Sequence, residues 1–109
     1  MENYKYKIVI ELNDSKIRID RKYDLEDTYR IVREQFIEKG LNDVSNEKQL
    51  IFVSKPEDSN AYGVIGAVTN ALYRSWIKPY LKVMEWHDVT KNSVEDLLKT
   101  FKACEETVW

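Results

Sequence analysis

From Tyr4 to Leu12 apolar and polar positions alternate: Tyr4, Tyr6, Ile8, Ile10 and Leu12 share one parity, and Lys5, Lys7, Val9 and Glu11 share the other. A period of two sends alternate side chains to opposite faces, so this spacing predicts a half-buried β-strand. Asn13, Asp14 and Ser15 supply turn residues, and beyond them Ile17, Ile19 and Tyr23 alternate with Lys16, Arg18, Asp20 and Lys22. The pair is expected to form a β-hairpin. From Asp24 to Leu41 the period lengthens. Leu25, Tyr29, Val32 and Phe36 fall on one side of a helix, Asp24 suits its N-cap and Gly40 its left-handed stop. The opposite side of that helix carries Asp27, Ile31, Glu34 and Glu38, with Ile37 set to one side.

Residues 42–48 are polar, and the run Gln49 to Ser54 predicts a short central strand buried on both faces. Lys55 to Asn60 is a loop around Pro56. Ile65, Val68, Leu72 and Trp76 have helical spacing within residues 61–77, and the row Gly63, Ala67, Ala71 predicts close approach to a neighbour. Each glycine costs about 1 kcal/mol inside a helix, which leaves open a start after Gly66. Pro79 ends this element, and Tyr80 to His87 alternates as a further strand. Its Tyr80, Met84 and Trp86 share a parity: exposed, they would form a dimer interface, and covered by the C-terminal helix they would be core. Ser93 and Asp96 resemble a capping box for a helix over about 94–105, with Val94, Leu97, Leu98, Phe101 and Cys104 on its apolar stripe. Val108 and Trp109 would either fold back or fray. The expected fold is α+β in the order ββαβαβα, a largely antiparallel four-stranded sheet with helices mainly on one face.

With 109 residues the chain is expected to be a single globular domain, and 43% hydrophobic with 33% charged residues is the balance of a soluble one. Seventeen basic against nineteen acidic residues leave a net charge of −2, so nothing global draws the chain to nucleic acid. Charge is segregated locally: residues 1–23 hold six basic and four acidic groups, residues 24–48 four basic and seven acidic. A single cysteine fits a reducing compartment, and neither a signal peptide's apolar core nor a membrane-length apolar run occurs, so a cytoplasmic protein is expected.

One histidine, His87, and one cysteine, Cys104, are too few for a zinc site, and Cys104 falls at a core position where a thiol is inert. The carboxylates of the central helix lie on a convex surface, without the converging oxygens that hard cations need. No catalytic residue, metal or cofactor is expected, and the chain reads as a binding protein. Three surfaces are candidates. The acidic helix row Asp27, Ile31, Glu34, Glu38 would meet a basic partner. The hairpin face with Lys5, Lys7, Lys16, Arg18 and Lys22 would meet phosphate or nucleic acid. A pocket at a dimer interface, using Arg18, Lys22, Arg74 and Trp86, would hold a small ligand such as a cyclic nucleotide.

The stretch YKIVIELNDSKIRIDRKYDLEDTYRIVREQF, within residues 4–40, resembles small proteins of rod-shaped archaeal viruses. That family of compact α/β homodimers includes anti-CRISPR proteins that bind the large subunit of the type I-D effector complex. The resemblance implies a non-enzymatic inhibitor, homodimeric and acting inside the host cell, that occludes a basic face of a host defence protein. On this sequence Asp27, Glu34 and Glu38, anchored by Ile31, would form the contact. The basic hairpin does not fit a simple acidic mimic.

Overall fold

A computed structural model describes residues 4–107. The chain forms strand β1 (Tyr6–Leu12), helices α1 (Asp14–Asp20) and α2 (Leu25–Ile37), strands β2 (Asn42–Asp43) and β3 (Leu50–Val53), and helix α3 (Ala61–Tyr73). A 3-10 turn at Lys78–Tyr80 leads to strands β4 (Leu81–Asp88) and β5 (Ser93–Asp96) and helix α4 (Leu97–Thr107). The architecture is α+β, as the alternation of periods implied. The sheet has five strands in the order β2-β3-β1-β4-β5, every pair antiparallel, in place of the expected four. Extents of 40 × 37 × 21 Å describe a slab whose thin dimension accommodates one sheet and one layer of helices.

β1 lies at the centre, its Ile8 opposite Phe52 on one side and Trp86 on the other, its Ile10 opposite Leu50 and Met84. These side chains meet Val32 and Phe36 of α2 and Ile65, Val68 and Leu72 of α3 in the core. Phe36 stacks on Phe52 with ring centroids 4.5 Å apart. Ser54 ties down the start of β1, its Oγ accepting the backbone N–H groups of Lys5 and Tyr6. The opposite face of the sheet carries Lys7, Val9, Glu11, Ile51, Val53, Val83, Glu85 and His87, outside the core cluster. β3 is therefore internal to the sheet and buried on both faces, with Leu50 and Phe52 on the core side and Val53 buried on the other beside a partly buried Ile51.

The expected second strand is the helix α1. Asn13 caps it, its Oδ1 accepting the Lys16 N–H at 3.1 Å, while the Asn13 N–H donates to the Tyr80 carbonyl at 2.8 Å and fixes where the chain leaves β1. Lys16 and Asp20 pair one turn apart at 3.7 Å, and Arg21 ends the helix at φ 54°. A helix turns Ile17 into the core and Ile19 outward, and their exposures are 1% and 76%. The hairpin and its basic face are accordingly absent, and Lys16, Arg18 and Lys22 leave the sheet.

α2 has the cap and stop read from its sequence: Asp24 Oδ2 accepts the Asp27 N–H at 3.0 Å, and Gly40 has φ 96°. α3 begins at Ala61 and contains both glycines. A Cβ at Gly63 or Gly66 would meet nothing within 4 Å, and Ala67 and Ala71 are exposed, so the small-residue row faces away from neighbours. The larger Ile65, Val68 and Leu72 take the sheet side because their burial contributes more. Ser93 to Asp96, expected as a capping box and the start of a helix, is strand β5. Asp96 still caps α4, its Oδ1 accepting the Lys99 N–H at 3.2 Å. Leu97 enters the core, whereas Val94 and Cys104 are exposed. Val108 and Trp109 lie outside the described residues.

Candidate functional site

Three features of the surface combine chemistry with access. The first is the outer side of α2. Asp27, Glu34 and Glu38 are exposed there, as the helical spacing requires. Arg30 lies between the first two, 3.1 Å from Asp27 and 3.4 Å from Glu34, and these carboxylates hold its guanidinium above the usual range, hydrogen bonding to Asp27 first. Ile31 does not belong to this surface. It is half-buried against the core, because α2 lies in the angle between the sheet and its neighbouring elements and covers more than one side. The apolar residue left among the carboxylates is Ile37, 48% exposed, one turn from Glu34 and adjacent to Glu38.

The second feature is a cleft of about 480 Å³ between α1, α2 and the β2–β3 connection, lined by Asp14, Glu26, Tyr29, Arg33, Glu47 and Leu50 among others. Tyr29 donates its hydroxyl to Asp14 Oδ1 at 2.6 Å. Burial, then that hydrogen bond and the charge of Asp14, push the Tyr29 phenol up to about 12. Arg33 Nε is shielded from solvent and lies 3.6 Å from Asp43, beyond hydrogen-bonding distance. No group of three His, Cys, Asp or Glu among the described residues is placed to hold a metal ion.

The third is aromatic. Tyr23, at the junction of α1 and α2, stacks on Trp76, in the turn after α3, with centroids 3.9 Å apart and planes inclined by 26°. Tyr80 backs Tyr23 edge-on at 6.0 Å and donates its hydroxyl to Asp20 at 2.8 Å. Lys16 lies over the Tyr80 ring at 5.7 Å.

The proposed dimer residues are placed differently from the exposed arrangement. Tyr80 and Met84 are core residues at 3% and 0% exposure, Tyr80 in the 3-10 turn and Met84 on the helix-covered side of β4. Trp86 is half-buried and packs on Tyr6 and Tyr62 at 5.7 and 5.0 Å. The pocket residues Arg18, Lys22, Arg74 and Trp86 are not brought together: Trp86 stands opposite Ile8 in the sheet, Lys22 precedes Tyr23 in the chain, and Arg74 lines a cleft with Phe101 and Glu105 of α4. The Tyr23–Trp76 pair was missed because 53 positions separate its members, and neither stands out in its own segment; the local signal was only the basic neighbours of each ring.

No protein-family model, characterised protein or solved structure matches the chain. No helix among the described residues is long and apolar enough to cross a membrane.

Proposed function

We propose that this chain is a non-catalytic protein-binding domain that blocks a partner by covering a basic surface with the outer side of α2. The observation that carries the reading is Ile37, 48% exposed beside Glu34 and Glu38. An apolar anchor rimmed by carboxylates suits a basic protein face, where charge guides encounter and the apolar residue contributes affinity on desolvation. Ile37 replaces Ile31 as the anchor, and Glu38 is its least encumbered acidic neighbour, since Asp27 and Glu34 share Arg30. The resemblance of residues 4–40 to small proteins of rod-shaped archaeal viruses supplies a partner class, the large subunit of a type I-D interference complex, and an anti-defence role inside the host.

The test is calorimetry of the purified chain against that subunit, with a charge-reversal variant (Asp27→Lys, Glu34→Lys, Glu38→Lys) and a separate Ile37→Ala. Each is expected to weaken binding by about tenfold or more while circular dichroism stays unchanged. Undiminished affinity in a folded triple variant would remove α2 as the contact.

A further inference from the structure

Away from α2, the stacked rings of Tyr23 and Trp76 sit where cations gather. Residues 16–23 hold four basic side chains against one acid, in a chain whose net charge is −2. The acids nearby are already engaged. Asp20 accepts the Tyr80 hydroxyl and pairs with Lys16, Asp24 caps α2, and Glu105 is held by Tyr73 and Lys78. Among the described residues no ion pair engages Arg21 or Lys22, whereas Arg74 donates Nε–H to Asn70 at 3.2 Å and lines a cleft with Glu105. The rings themselves are 39% and 37% exposed.

We propose that Tyr23 and Trp76 form a base-stacking platform for a single-stranded nucleic acid, whose phosphates are met by Arg21 and Lys22. Two features favour this occupant. Flat stacking of two rings, backed edge-on by Tyr80, presents a rigid π-surface that a nucleobase extends without needing a particular sequence. Arg21 and Lys22 make no ion pair among the described residues, which leaves their charges available to phosphate. The proposal is independent of the α2 reading, because it uses none of its residues.

The test is fluorescence anisotropy of the full chain with labelled oligothymidylate and oligouridylate of roughly fifteen nucleotides. Binding at low salt is expected, with log affinity falling against log salt at a slope of about −1.4, the value for two phosphate contacts to a single strand. Trp76→Ala should weaken it about tenfold or more, and Trp76→Phe, which keeps a ring, by only about threefold. The double change Arg21→Glu, Lys22→Glu lies on exposed side chains and should weaken binding and flatten the salt slope. A Trp76→Ala protein that binds like the parent overturns the platform, as does an absence of binding at low salt. Binding to phosphatidylglycerol vesicles without binding to either oligonucleotide assigns the patch to a membrane surface and overturns the proposal. So does light scattering that shows Trp76→Ala converting a dimer to a monomer.

Discussion

Tyr29 joins α2 to α1 through its 2.6 Å hydrogen bond to Asp14, and its raised pKa makes that contact measurable. The folded state favours the neutral phenol, so its contribution is complete below the ordinary tyrosine value near 10 and declines as pH rises towards about 12. Above pH 10 the unfolded chain has released a proton that the native state still holds, and stability therefore falls with pH. Tyr73 and Tyr80, also raised, chiefly by burial and then by hydrogen bonds to Glu105 and Asp20, act in the same direction. Urea unfolding followed between pH 9 and 11 is expected to show declining midpoints for the parent and a shallower decline for Tyr29→Phe. Equal slopes would mean that the Tyr29 hydroxyl remains as free to ionise in the folded chain as in the unfolded one. Ser54 and Asn13 act at the same scale: each uses one short side chain to satisfy backbone N–H groups, where β1 starts and where α1 starts. Such roles are invisible in composition, because serine and asparagine are equally common in open loops.

At the scale of elements, the segment from Asn13 to Tyr23 shows how two periods compete. Ile17 and Ile19 are two apart, which satisfies a strand, yet a seven-residue helix needs only one buried apolar position. The Asn13 cap, the Lys16–Asp20 pair and the docking of Asp20 against Tyr80 settle the choice in favour of the helix. A pair of single substitutions separates the alternatives. Ile17→Ala should cost about 2–5 kcal/mol by leaving a cavity, whereas Ile19→Ala, at 76% exposure, should stay within about 0.5 kcal/mol. In a half-buried strand both changes would be severe, so similar losses in chemical denaturation would count against the helix. α2 and α3 were more legible, because thirteen residues in each repeat the helical stripe over several turns. β5 and the start of α4 were not. Ser93 and Asp96 have the types and spacing of a cap, but β4 offers a free edge first, and the chain pairs with it before turning into the helix.

For the whole molecule, the core cluster lies between the helices and one face of the sheet, and that is the covered face. Met84 belongs to the covered face, and its burial separates stability from assembly. Met84→Ala is expected to cost about 2–5 kcal/mol in denaturation and to leave the mass measured by light scattering unchanged. A folded variant with altered mass would return this side of β4 to an interface. The amino-acid sequence by itself determined the α+β class, the strand at residues 6–12, the capped helix α2 and the exposure of Asp27, Glu34 and Glu38. Each rests on a local period or cap that needs no distant partner. Tertiary structure decided the rest: that residues 14–20 are helical, that Ile31 packs inward while Ile37 remains out, and that Tyr80 and Met84 are core. It also brought Tyr23 onto Trp76. Parity and spacing say which side chains share a face, but whether that face is covered depends on where the other elements dock. Contacts across tens of residues are made by the fold as a whole.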